Sequence, residues 1–155
     1  MRSPSDYVLT WEAAQIIEQA ITERMGPMRS RNAQMVAEFR RTFKKPIGSY
    51  PSIEGVDLEH HGRLLAEEVA EALTAIRDRD PVELLDGLVD IMYVAYGCAI
   101  ECGFDLDAGF AEVHRSNMSK LGADGKPILR EDGKILKGPN YSPPDLRAIA
   151  GINPR

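Results

Sequence analysis

The chain has 155 residues and a formal net charge of -5, with 28% charged and 43% hydrophobic residues. That length suffices for one sizeable core, and the acidic balance argues against broad nucleic-acid binding. There is no apolar run long enough for a membrane-spanning helix, and the N-terminus MRSPSDYVLTWEAAQ has no hydrophobic signal core, so neither a membrane nor a nucleic-acid partner is expected and a cytoplasmic location is.

Residues 11–25 (WEAAQIIEQAITERM) read as a first helix closed by Gly26-Pro27. A second helical run from about Arg29 to Phe43 carries Met35, Val36, Phe39 and Phe43 at helical spacing. The stretch KKPIGSYPSIEG is broken by proline and glycine and reads as a loop. A third helix is expected from about Leu58 to Arg79, with Leu65, Val69, Ala72 and Ile76 as its apolar stripe. Glu68 and Glu71 flank that stripe, and Glu67 lies further round toward solvent. The pair His60-His61 reads as part of the helix start rather than of a site.

The fourth helix opens with Asp80 as N-cap, Pro81 at the first helical position and Glu83 placed to close a capping box. From there to about Cys102 it is apolar almost all round, the pattern of a buried helix. Its polar stripe, Glu83, Asp86, Asp90, Tyr93, Gly97 and Glu101, falls within about 80° at 100° per residue. Cys98 and Cys102 read as two reduced core residues, since no zinc-type Cys/His spacing accompanies them. A fifth helix from about Asp105 to Ser119 places Leu106, Phe110, Val113, His114 and Asn117 on one face. Beyond Lys120 two Asp-Gly-Lys turns bracket PILRE, which suggests a small hairpin or tight loops. The expected fold is all-α, a helical bundle of four to five helices with an irregular C-terminal tail or small hairpin.

Two acidic clusters carry the chemistry: Glu67-Glu68-x-x-Glu71 on the third helix and Asp86-x-x-x-Asp90 on the fourth. Two carboxylates one helical turn apart repel by about 2–3 kcal/mol at an effective dielectric near 20. Burial adds several kcal/mol more for each. A divalent cation offsets both terms, and an all-oxygen donor set suits Mg²⁺, which keeps waters and takes phosphate oxygens as further ligands. The bland reading of EExxE alone is a solvated face laced with i, i+4 ion pairs. Asp86 and Asp90 resist that reading because their helix offers little polar surface. A di-iron carboxylate bundle needs Glu-x-x-His on two helices, and His60, His61 and His114 have no glutamate three residues before them.

The motifs also resemble a known family. EExxE, then Asp86-Gly-Leu-Val-Asp90-Ile-Met-Tyr93-Val, Val113-His-Arg-Ser-Asn117-Met-Ser-Lys120, Asp132-Gly-Lys134 and Lys137-Gly-Pro-Asn-Tyr141 resemble the all-α NTP pyrophosphohydrolase superfamily. That superfamily includes the MazG proteins, phosphoribosyl-ATP pyrophosphohydrolase and the dimeric dUTPases, and the likeness is greatest to a MazG-like branch. It covers roughly residues 28–146, which divides the chain into an N-terminal extension (1–27) and a MazG-like domain (28–155). One departure stands out. The superfamily pattern is ExxE followed by ExxD, yet the residue three before Asp90 is Gly87; either Asp86 stands in for the glutamate or Glu83-x-x-Asp86 is the match.

The resemblance implies Mg²⁺-dependent hydrolysis of a nucleoside triphosphate to the monophosphate and pyrophosphate. Glu68, Glu71, Asp86 and Asp90 would hold the metal, and Glu67 or Glu68 would accept the proton of the attacking water. Asn117, Lys120, Lys134, Lys137 and Tyr141 would bind substrate, the lysines and the tyrosine closing over the phosphates. A homodimer or homotetramer is expected, since one such unit does not enclose the site. The rival reading is a helical regulator or interaction module that binds a nucleotide without hydrolysing it.

Overall fold

The computed structural model of the chain describes residues 30–152. The helix expected over 11–25 lies outside them. Four helices follow in order: α1 (Arg31–Thr42), α2 (Leu58–Asp78), α3 (Pro81–Glu101) and α4 (Leu106–Met118). Each starts at a side-chain cap that satisfies backbone N–H groups left free by the first turn. Ser30 Oγ accepts from Ala33 N at 3.1 Å, Asp57 Oδ1 from His60 N at 2.9 Å, and Asp105 Oδ1 from Ala108 N at 2.9 Å. Asp80 Oδ1 accepts from both Val82 N and Glu83 N. The expected capping box does not close, because the Asp80 N–H donates to the Ala75 carbonyl at 3.0 Å instead of to Glu83.

Only Arg79 and Asp80 separate α2 from α3, and Arg79 turns the chain with φ 57°. So short a link forces an antiparallel helical hairpin. The two helices come closest where Gly87 meets Ala72: a Cβ on Gly87 would lie 3.1 Å from the Ala72 Cα, Cβ and N. A larger side chain there must push the helices apart, and their carboxylates with them. Gly87→Val is expected to destabilise the fold by about 1–3 kcal/mol, read as a lower midpoint in urea unfolding; an unchanged midpoint would show that the helices separate freely.

Helix α1 packs across α3 through Val36, Ala37 and Ile100, with Ile47, Tyr93 and Tyr96 around them. The Phe39 ring meets Tyr93 edge-on at 5.6 Å. The loop after α1 is pinned to the end of α3 by Gly48 N→Ile100 O at 3.0 Å and Ser52 N→Cys102 O at 2.9 Å. Gly48 is required there, since its Cβ would stand 2.5 Å from the Glu101 carbonyl oxygen. Cys98 and Cys102 are free thiols, as expected of reduced core residues, and burial with the neighbouring Cys98 pushes the Cys102 thiol up to about 11.

Burial departs from the apolar pattern in two places. Helix α3 is not enclosed among the described residues: Leu85 is 64% exposed, and Leu88, Val89 and Met92 are also open. Among the described residues α1 and α2 cover it, and two helices cannot surround a third. On α4 the stripe of Leu106, Phe110 and Val113 also faces outward, with Phe110 75% exposed. What holds α4 is polar: Tyr96 Oη donates to Asp107 Oδ1 at 2.7 Å, and Asp107 Oδ2 accepts from Ser30 N at 3.0 Å. The tail forms the expected small hairpin, one antiparallel bridge between Leu129 and Ile135.

Candidate active site

The hairpin brings the two acidic clusters together. Glu68, half-buried on α2, is their centre. Its carboxyl is held above the usual range first by burial, then by the charges of Asp90, Glu71, Glu67 and Asp86. Asp90 is half-buried, whereas Glu67, Glu71 and Asp86 are exposed. Glu83 is not among the charges that act on Glu68, so the second helix addresses the cluster through Asp86 and Asp90. Position 87, where ExxD would place its glutamate, lies against Ala72, and a Cβ there would stand 3.1 Å from the Ala72 Cα, Cβ and N.

Hard oxygen donors with uncompensated charge suit a divalent cation such as Mg²⁺. Among the described residues no three His, Cys, Asp or Glu side chains converge into a preformed metal site.

The predicted substrate-binding residues form a separate cluster on α4 and the tail. Lys120 Nζ donates to Asn117 Oδ1 at 2.7 Å, and Lys137 Nζ stands 4.3 Å over the Tyr141 ring. The Lys134 side chain is exposed beside the hairpin turn, where its N–H donates to Asp132 Oδ1. The tail is tied down by Gly138 N→Lys120 O at 3.0 Å and Ser142 N→Ser119 Oγ at 2.9 Å. Glu112 completes the clamp, accepting from Arg115 and from Asp145 N at 2.8 Å. None of these contacts reaches the carboxylates of α2 and α3. Among the described residues, electrostatics link Glu67, Glu71, Asp86 and Asp90 to Glu68, and local contacts link Lys120 to Asn117 and Lys137 to Tyr141.

Arg115, together with the Asp145 backbone N–H, holds the Glu112 carboxyl down at about 2. A depressed acid stabilises the folded state above its ordinary value of 4.5 and loses that contribution as pH falls through about 2. Tail docking should therefore hold from neutrality to about pH 4.5 and loosen below it, read as faster amide exchange at Asp145. Exchange that is flat with pH, after correction for intrinsic rates, would remove Glu112 from the clamp.

Three residues that carried no functional reading form a buried polar cluster. Arg40 is 7% exposed and His61 5%. Both bond Glu101 Oε2, Arg40 through Nη2 and His61 through Nε2 at 3.0 Å. The pair His60-His61 lies at the helix start as expected, and His61 is buried there. The available signal was periodicity: His61 lies seven residues before Glu68, two helical turns along the same face. Glu101 likewise ends the polar stripe of α3.

A family model described as phosphoribosyl-ATP pyrophosphohydrolase matches residues 36–117, a span that contains all five carboxylates. An uncharacterized protein of Acanthamoeba polyphaga mimivirus is 28% identical over 126 residues, covering 76% of this chain and 46% of that protein. The chain thus spans about half the length of the curated relative it matches.

Proposed function

The chain belongs to the phosphoribosyl-ATP pyrophosphohydrolase family, within the all-α MazG-like NTP pyrophosphohydrolase superfamily, and on that premise we propose that it is a Mg²⁺-dependent nucleoside triphosphate pyrophosphohydrolase. The observation that supports this reading is a group of like charges on the α2–α3 hairpin, where Asp90, Glu71, Glu67 and Asp86 all act on the Glu68 carboxyl. Glu68, Glu71, Asp86 and Asp90 would hold the metal. When bound, Mg²⁺ neutralises phosphate oxygens and lowers the pKa of a coordinated water. Glu67 or Glu68 then accepts the proton of the attacking water. Lys120, Lys134, Lys137, Tyr141 and Asn117 bind the phosphates and stabilise the leaving pyrophosphate once assembly or tail closure brings them to the carboxylates.

A homodimer or homotetramer fits the same observations. Leu85, Leu88, Val89 and Met92 on α3, with Leu73 and Ile76 on α2, leave a broad apolar surface of the kind that marks an interface. Sedimentation should give a dimer or larger species at micromolar concentration, and a monomer there would contradict this assembly.

The activity is tested with purified protein, Mg²⁺ and a panel of ribo- and deoxynucleoside triphosphates plus phosphoribosyl-ATP. Turnover of at least one, abolished by chelation and restored by Mg²⁺, is expected. The alternative, a nucleotide-binding regulator, would be thermally stabilised by nucleotide and Mg²⁺ while releasing no pyrophosphate.

A further inference from the structure

Beside the carboxylates the α2–α3 hairpin has a second feature, a cavity of about 260 Å³ closed on its third side by α1. Phe39, Leu64 and Tyr93 supply apolar and aromatic wall, and Arg40, His61 and Glu101 supply polar lining. It follows the same helix faces as the acidic cluster. On α2, Leu64 and His61 lie four and seven residues before Glu68; on α3, Tyr93, Gly97 and Glu101 follow Asp90. Seven residues of helix rise about 10 Å, so the cavity stands one nucleoside's reach along the hairpin from the carboxylates.

One of its lining residues, His61, holds a polar atom without a partner. His61 Nδ1 is buried and finds no hydrogen-bond partner among the described residues. Its ring is held by the other nitrogen, which faces the Glu101 carboxylate at 3.0 Å. A carboxylate accepts, so the ring donates from Nε2, and in the neutral tautomer Nδ1 is left as an acceptor. Buried polar atoms are nearly always paired in the working state of a protein, by protein, water or ligand. Apolar walls with a few fixed polar groups are the usual make-up of a small-molecule site.

We propose that this cavity takes the nucleobase of the substrate, with His61 Nδ1 accepting a hydrogen bond from an N–H on the base edge, so that His61 is a specificity-determining residue. The proposal rests on the nucleotide reading given above. Glu101 and Arg40 act as positioning residues that fix the tautomer and orientation of the ring. Phe39 and Tyr93 offer aromatic surface to the flat base.

Two measurements test it. On wild-type protein without metal, the imidazole ¹⁵N resonances of His61 are followed while nucleoside monophosphates or ribose 5-phosphate are added. At least one monophosphate should move Nδ1, and ribose 5-phosphate, which lacks a base, should not. No response to any monophosphate, or an equal response to ribose 5-phosphate, overturns the assignment and leaves bound water as the partner of Nδ1. In turnover, His61→Gln and His61→Phe should raise KM about tenfold or more, with kcat changed much less and preference among bases flattened. Unaltered KM and preference in a folded variant would also overturn it. If wild-type protein hydrolyses nothing on the panel, the pyrophosphohydrolase reading fails instead, and the resonance titration still decides whether a base binds.

Discussion

Glu68→Gln is expected to cut Mg²⁺-dependent turnover by on the order of 100-fold or more, without weakening the metal-free fold. The substitution keeps the shape of the side chain and deletes one charge. In the active form that charge would help hold the cation and orient its water, so its loss falls on the transition state. In the metal-free protein burial disfavours that charge first, and Asp90, Glu71, Glu67 and Asp86 repel it, so the carboxyl is held above its ordinary range. Removing it relieves repulsion, so the thermal midpoint without Mg²⁺ should stay level or rise. Glu71→Gln should lose activity in the same way. A variant that loses activity and folding together would mark Glu68 as structural, and one that keeps its activity would take Glu68 out of the site.

Arg40→Met is expected to have the largest effect on stability, a loss of about 3–5 kcal/mol, or roughly 10 °C or more in Tm. Methionine replaces the aliphatic stem and removes the guanidinium. Arg40 bonds Glu101 through Nη2 and the Pro46 carbonyl through Nε at 2.8 Å, and so ties α1, the loop after it and the end of α3 together. Without it, a carboxylate whose side chain is only 14% exposed keeps His61 as its remaining side-chain partner. Breaking one side of a buried pair costs far more than the pair contributes net. Glu101→Gln combined with Arg40→Met should therefore recover part of the loss. A single variant that costs less than about 1 kcal/mol would mean that water reaches Glu101 and screens it.

The helices were legible because their signals are local. Ser30, Asp57, Asp80 and Asp105 cap where sequence placed helix starts, and Pro81 sits in the first turn of α3. The acidic centre was legible for a related reason: i, i+3 and i, i+4 spacing fixes which carboxylates share a face, and a two-residue link fixes that the faces meet. Burial was harder to read. An apolar pattern says that Leu85, Leu88 and Met92 seek cover, but not whether their own chain provides it. The Arg40–His61–Glu101 cluster was missed because its members lie on three helices, and only packing brings positions 40, 61 and 101 together. On α4 and the tail, local contacts place Lys120 against Asn117 and Lys137 over Tyr141, neighbours that helical spacing and a shared turn bring within reach.

The most direct test is to resolve the products of Mg²⁺-supported turnover by ³¹P NMR, using the best nucleotide of the panel. Nucleoside monophosphate and pyrophosphate in equal amounts are predicted. Nucleoside diphosphate with orthophosphate would contradict a pyrophosphohydrolase, because the carboxylates would then direct attack at the terminal phosphorus.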